Sequence, residues 1–321
     1  MASSILVCGA TGFVGSHLMT NLAKDGLEVV GLTRRIELAK AKYPQWSWTY
    51  GDVEEFDSLK VAMVGKDTVV FLVHQMRAMG GELLKRERES AERVLAAAEA
   101  AGVRRLVYLG GPEPQAEASA HLKARLETGR VLRSGSISTI ELRAGMIIGA
   151  ESESWLMVRD LSLRLPVMIL PKWLKSKSQP VGIDDVVFAL SKAIALETVD
   201  SLVFDIPGPE TLTCREIIER VASQVGIRPL MVPVPVLTPA LSSHWLRFVT
   251  RANYKIAKKL VRGLNGDVIA SKDSFWEHIS YEPTSLDEVI RRALAAENSE
   301  DQSWYATRWE GWVRALSLSP K

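Results

Sequence analysis

Val7-Cys8-Gly9-Ala10-Thr11-Gly12-Phe13-Val14-Gly15-Ser16 is the stretch whose reading settles the fold. The apolar run Ile5–Cys8 before it is too short for a helix and right for a buried strand. Beyond it Val14, Leu18 and Leu22 recur at four-residue spacing, with Gly26 placed to stop a helix. A G-x-x-G-x-x-G run between strand and helix gives each glycine a task. Gly9 allows the sharp exit from the strand, Gly12 lets backbone approach a pyrophosphate, and Gly15 permits close helix–sheet packing. The helix start then presents unpaired N–H groups and a positive dipole end to the phosphates. Gly9, Thr11, Gly12, Phe13, Val14 and Gly15 are therefore expected to cradle a dinucleotide.

Outward from this turn, short runs rich in Val, Ile and Leu recur at Leu27–Leu32, Thr68–Val73, Arg105–Leu109 and Ile137–Leu142. Helical patterns lie between them, the longest being Glu82–Ala101, which ends at Gly102. Strand and helix alternate to about residue 150, the pattern of a parallel sheet with helices on both faces. The expected architecture is α/β: a Rossmann, doubly wound parallel sheet with a small C-terminal substrate lobe. Residues 1–150 form the dinucleotide-binding core, 151–296 a lobe that completes the core and covers a substrate pocket, and 297–321 a tail. A helix near Ile183–Leu196 and a strand at Leu202–Ile206 are expected in the lobe, then an amphipathic stretch from Leu237 to about Leu260. Trp304, Trp309 and Trp312 suggest that the tail docks by aromatic burial.

Composition narrows the class. A chain of 321 residues buries roughly three quarters of its extended surface and needs no disulfide or metal staple. Its 40 Lys+Arg against 38 Asp+Glu leave no basic stripe, which argues against nucleic acid. Two cysteines without a C-x-x-C pair exclude a disulfide framework and a thiolate metal site, so no metal is expected. The first apolar run reads as a strand, not a signal peptide, and no run of 18 apolar residues occurs; the expected location is the cytoplasm.

The tip of the second strand decides which dinucleotide. A carboxylate there would bind the adenosine ribose 2′-hydroxyl of NAD, whereas Thr33-Arg34-Arg35 suits a 2′-phosphate. Glu28 lies too early in the strand to reach it. NADP(H) is thus expected over NAD(H), with Arg34 ahead of Arg35. Asp52 follows a probable third strand and is either an adenine acceptor or a turn residue. Val73 ends the fourth strand and His74 directly follows it, where strand ends line the ligand crevice; His74 is either a ligand contact or a histidine bonded to a neighbouring loop.

These residues resemble the short-chain dehydrogenase/reductase superfamily, in particular its atypical, NmrA-like members. The likeness runs through Phe71-Leu72-Val73-His74, Tyr108-Leu109-Gly110-Gly111, His121-Leu122-Lys123-Ala124-Arg125 and Glu141–Gly149, then Leu165-Pro166-Val167-Met168 and Gln179-Pro180-Val181. It implies a core of about seven strands. In active members a Tyr-x-x-x-Lys pair protonates the substrate oxygen and holds the nicotinamide ribose. Here the helix after Gly110-Gly111 places His121 at the tyrosine and Arg125 at the lysine, which makes both the catalytic candidates and Arg125 a ribose contact. The Tyr254–Lys258 pair lies far past the expected strand and is read as coincidence. Gly145 and Met146 are expected beside the nicotinamide end, on a loop running from Ala144 to Gly149, and Gly110 is a further expected coenzyme contact. Met146 and Ile147, with Trp155, Met168 and Trp173, form either a pocket for a small apolar ligand or ordinary core between lobe and sheet.

Three functions compete. The first is an NADP(H)-dependent oxidoreductase reducing a small apolar carbonyl or quinone, with the hydride from the coenzyme and proton relay by His121 or water. The second is a non-catalytic NADP(H)-dependent redox sensor, regulator or assembly factor, as the resemblance to NmrA-like proteins and to an accessory subunit of respiratory complex I implies. The third is docking to a membrane surface or protein partner through residues 237–260.

Overall fold

The computed structural model describes residues 4–74, 81–113, 119–165, 167–170, 172–233, 250–252, 266–270, 273–297 and 310–313. In chain order the first half forms β1 (Ser4–Cys8), α1 (Phe13–Lys24), β2 (Glu28–Thr33), α2 (Ile36–Lys42), β3 (Ser47–Tyr50), α3 (Phe56–Met63), β4 (Thr68–Phe71), α4 (Gly81–Ala101), β5 (Arg105–Gly110), α5 (Ala120–Leu132) and β6 (Ser138–Arg143). The second half adds β7 (Ile147–Ile148), α6 (Glu153–Arg164), β8 (Val167–Leu170), β9 (Lys177–Ser178), β10 (Val181–Gly182), α7 (Ile183–Ala195), β11 (Leu202–Asp205), β12 (Leu212–Thr213), α8 (Cys214–Gln224), β13 (Leu230–Pro233), α9 (Phe275–His278) and α10 (Leu286–Ala295).

Seven strands make one parallel sheet in the order β11-β6-β5-β4-β1-β2-β3. Each central strand is buried on both faces, so it reads as a continuous apolar run. Alternate side chains nevertheless serve different layers. Ile5, Val7, Val70 and Val107 join the cluster under α1 and α7, whereas Leu6, Cys8, Val69 and Leu106 join the one under α3, α4 and α5. This is the doubly wound Rossmann architecture. The chain moves outward in one direction from β1 to β3 and in the other from β4 onward, so a crevice opens where the ends of β1 and β4 part.

The sheet draws its last strand from beyond residue 150: β11 lies beside β6 in register Leu202↔Ile140 to Asp205↔Arg143. A second apolar cluster builds the lobe, where Trp155, Met157 and Leu161 of α6 meet Ile217, Ile218 and Val221 of α8 and Val289 and Ile290 of α10. The stretch from Ala144 to Gly149 is not the open loop expected. It contains β7, which pairs in parallel with β10, because Val181 N donates to Met146 O at 3.0 Å.

Charge also ties the lobe together. Arg159 of α6, 3% exposed, bonds Glu297 at 3.0 Å and Glu310, while Asp160, fully buried, receives Arg251 at 3.2 Å and Arg164 at 3.3 Å. Val313 is buried against Leu163, Ala222 and Ile227. Among the described tail residues Glu310 and Val313 contact the body, and Trp312 is half-exposed. Trp304 and Trp309 lie outside the described residues. Among the described residues no helix is long and apolar enough to cross a membrane.

Candidate functional site

The glycine turn has no room for side chains. Gly9 adopts a φ of +92°, and a Cβ there would lie 3.1 Å from the backbone carbon of Leu72 on the neighbouring strand exit. Gly12 N donates to Gly9 O at 3.0 Å, closing the turn. A Cβ on Gly15 would fall 2.2 Å from Gly9 O and 2.8 Å from Ala10 Cα, so α1 rests directly on the turn. Gly12, the residue before α1, supplies no side chain to cap it. The first-turn amides are therefore left for an external acceptor. A pyrophosphate fits this cradle in shape and in charge.

A groove of about 1090 Å³ runs along the strand ends from this turn. Gly9, Thr11, Gly12, Arg34, Arg35, Asp52, Val73 and His74 all line it, joined by Lys42 and Arg86, which sequence reasoning did not single out. Arg34 stands 62% exposed with Nη1 3.6 Å from Asp52 Oδ2. Asp52 is held in turn by the Glu54 amide, which donates to Oδ1 at 3.0 Å. This is an Asx-type turn that leaves its other oxygen facing Arg34. Arg35 N donates to Thr33 Oγ1 at 3.1 Å, folding the strand tip back over the groove. Glu28 is occupied at the far end of β2 by Ser4 at 3.0 Å and Lys66 at 3.3 Å.

The remaining expected contacts sit elsewhere. Val14 packs on the core, and the Phe13 ring covers Gly149 and meets His17 edge-on at 5.1 Å. Gly110 leaves space for the buried carboxylate of Glu141, whose Oε1 would be 2.8 Å from a Cβ there. Glu141 receives Arg133 Nε and Arg143 Nε, each at 2.8 Å. Gly145 lies near Ser178, and Met146 packs on the lobe cluster with Ile148 and Trp155. The side chains of Met168 and Trp173 fall outside the described set, as do Tyr254–Lys258, His244 and all but Thr250–Ala252 of the segment 237–260.

Beyond the glycine turn, β4 ends in Leu72-Val73-His74 and α5 opens with His121, its first turn held by Ser119, whose Oγ accepts from Leu122 N at 3.3 Å. The two imidazoles meet: His74 Nε2 lies 2.8 Å from His121 Nδ1 and 3.3 Å from its Nε2. On its other side His74 Nδ1 lies 2.6 Å from Glu87 Oε1, a carboxylate of α4 that is only 2% exposed. Thr128 Oγ1 donates to the second Glu87 oxygen at 3.4 Å. Glu87 was missed by sequence reasoning, although a signal existed: it falls on the apolar stripe Leu83, Ala91, Val94 and Ala98.

Arg125 points its guanidinium at the end of β5, with Nη2 donating to Leu109 O at 2.8 Å and Gly110 O at 3.0 Å. Tyr108 is no substitute for the absent tyrosine. Burial pushes its hydroxyl well above the usual phenol range, and the hydroxyl donates to Arg125 O at 3.1 Å. Among the described residues no group of three or more His, Cys, Asp or Glu is placed to hold a metal ion.

Comparison with known proteins agrees with this geometry. The family described as NAD(P)H-binding matches residues 9–160. A 3β-hydroxysteroid dehydrogenase/Δ5→4-isomerase of Mycobacterium tuberculosis is 34% identical over 113 residues, 32% of this chain and 30% of that protein. A 3β-hydroxysteroid dehydrogenase of Mycolicibacterium neoaurum is 29% identical over 113 residues, 32% of this chain and 31% of that protein. The match spans less than a third of either relative's length. Triphenylmethane reductase of Citrobacter sp., in its complex with NADP(H), superposes with a TM-score of 0.70 at 20% identity, covering 90% of this chain and 99% of that one. UDP-glucose 4-epimerase of Thermus thermophilus, in complex with NAD, gives a TM-score of 0.64 at 17% identity over 91% of this chain and 99% of that one. At these identities the two structures establish a shared fold.

Proposed function

We propose that this chain, whose residues 9–160 match the family described as NAD(P)H-binding, is of the atypical short-chain dehydrogenase/reductase kind and works as an NADP(H)-dependent oxidoreductase on a small apolar carbonyl or quinone. The single observation that carries the reading is the imidazole of His121, bonded to His74, which itself lines the groove. An imidazole changes charge near neutral pH and so can exchange a proton with a substrate oxygen there. The bound coenzyme supplies or accepts the hydride. Gly9, Thr11, Gly12 and the start of α1 hold its pyrophosphate, while Arg34 and Arg35 take the 2′-phosphate. Arg34 stays exposed beside Asp52, so its fork is oriented yet still open to an anion.

The test is a coupled one. Calorimetric titration is expected to give NADPH about ten- to a hundredfold tighter than NADH, the size of one or two charge-assisted hydrogen bonds. NADPH oxidation is then followed with a panel of aldehydes, ketones and quinones, for wild type and His121→Gln. Equal affinities would refute the coenzyme preference, and turnover untouched by His121→Gln would refute the proton role.

One observation favours the non-catalytic reading. Arg125 spends its guanidinium on the carbonyls of Leu109 and Gly110, so the lysine's place is taken by a group that braces the strand end. Tight NADPH binding with no turnover of any acceptor would select the sensor.

A further inference from the structure

We propose that Glu87 and His74 are positioning residues that keep one exchangeable proton behind His121, so that the histidine pair, rather than His121 alone, is the proton store of the site. The inference rests on the role given to His121 above. Its ground is the continuous chain from a buried carboxylate to the crevice: Glu87 Oε1 to His74 Nδ1 at 2.6 Å, then His74 Nε2 to His121 Nδ1 at 2.8 Å. An apolar residue would complete the buried stripe of α4 without the cost of burying a charge. The carboxylate there is explained by the imidazole it holds.

The hydrogen count follows from the contacts. An ionised Glu87 accepts, so His74 Nδ1 carries a hydrogen in every state of the pair. His74 Nε2 then faces both nitrogens of His121, Nδ1 at 2.8 Å and Nε2 at 3.3 Å, and the shorter gap has room for one hydrogen. In the neutral pair His121 Nδ1–H donates to His74 Nε2. With one proton added, His74 is an imidazolium that donates from Nε2 to His121 Nδ1, and His121 Nε2–H is a donor. A second added proton would need two hydrogens in the same gap and two adjacent cations against one carboxylate.

Reduction then balances. The hydrogen on His121 Nε2 passes to the substrate oxygen while the substrate carbon gains hydride from a reduced nicotinamide, which becomes oxidised. The hydrogen in the gap moves from His74 Nε2 to His121 Nδ1, the Glu87–His74 bond is unchanged, and water restores the proton. Among the described residues Glu87 of α4 is bonded to the pair, and Tyr108 of β5 interacts with both Glu87 and Arg125 of α5. Arg125 is turned to the strand carbonyls, and the Tyr108 hydroxyl is held neutral by burial. Glu82 and Arg86, which share the groove with His74, pair with each other at 2.6 Å.

Histidine-ring NMR of the full chain, with and without NADP(H), tests this without requiring turnover; signals are assigned from His74→Gln and His121→Gln. In wild type the signals of His74 and His121 are expected to move together in a single step between about pH 5 and 8. The carboxylate favours the protonated pair, so Glu87→Gln should move that step down by about one pH unit or more. Should Glu87→Gln fail to fold, as judged by circular dichroism, His74→Gln provides the same decision: His121 should then titrate at a different pH, as a single imidazole. Two separate steps in wild type, a step unmoved in Glu87→Gln, or a His121 titration unmoved in His74→Gln would each overturn the proposal. Absence of NADP(H) binding would instead defeat the oxidoreductase reading, leaving the ring titration to decide the proton store by itself.

Discussion

Gly15→Ala is the sharpest test of the cradle, because the structure gives its cost directly. The new methyl would sit 2.2 Å from Gly9 O, 2.8 Å from Ala10 Cα and 2.9 Å from Gly9 C, more than an ångström short of ordinary contact at the first of these. All three are backbone atoms, so no flexible side chain can yield. Helix α1 must retreat from the turn, and with it Leu18, Met19 and Leu22, which are buried under the sheet. Overpacking of this kind costs about 3 kcal/mol, offset by about 1 kcal/mol of helix propensity gained on replacing glycine. The net loss of about 2 kcal/mol should lower Tm by roughly 3 °C in a chain of this size. Retreat of the helix start also lengthens the amide bonds to a pyrophosphate, and a loss of about 1.4 kcal/mol there is tenfold in Kd. That loss must be equal for NADPH and NADH, since both share the diphosphate. Gly12→Ala should be milder, its Cβ meeting only Gly9 O at 3.2 Å. Differential scanning fluorimetry and calorimetry measure both effects. A Gly15→Ala protein with Tm within about 1 °C of wild type and both affinities within about twofold would refute the argument.

Arg34→Ala combined with Arg35→Ala should weaken NADPH by about ten- to a hundredfold while leaving NADH within about threefold, read by calorimetry; a parallel loss for both would point to damage in the groove rather than to phosphate recognition. Glu141→Gln, read by urea denaturation, should cost about 3–5 kcal/mol, because it leaves the guanidinium groups of Arg133 and Arg143 against a neutral amide at a fully buried position. Burial raises the Glu310 carboxyl, but the hydrogen bonds and charges of Arg159 and Arg164 outweigh it and hold the group below its ordinary value of 4.5. Its stabilising contribution is therefore complete above that value and is lost as pH falls through the lower folded value. Melts across this acidic window should show a steeper loss in wild type than in Glu310→Gln, and parallel curves would contradict the assignment.

Part of the site is legible in the chain because its constraints are short-range. Gly9 needs a positive φ and Gly15 the absence of a Cβ, and both requirements show in seven residues of sequence. Apolar runs at Ile5–Cys8 and Arg105–Leu109 mark strands buried on both faces, and helical spacing alone brings His121 and Arg125 to one face of α5. Other features depend on how elements separated in sequence are docked. Glu87 is visible as a charge on an apolar stripe, yet nothing near it says that the stripe turns it toward His74. Arg125 reads as a ribose contact, and only the docking of α5 beside β5 brings its guanidinium to the carbonyls of Leu109 and Gly110.

The sequence by itself determined the alternation of strand and helix, the phosphate-sized turn and the cationic tip at Thr33-Arg34-Arg35. These follow from backbone sterics, periodicity and local charge, which act within a few residues. Only the tertiary structure decided that β11 lies beside β6, that Glu310 pairs with Arg159, and that a carboxylate and two imidazoles form one chain. Those outcomes are set by side-chain volumes summed over whole interfaces and by the pairing of charges that must be buried together. No short window of sequence holds both partners.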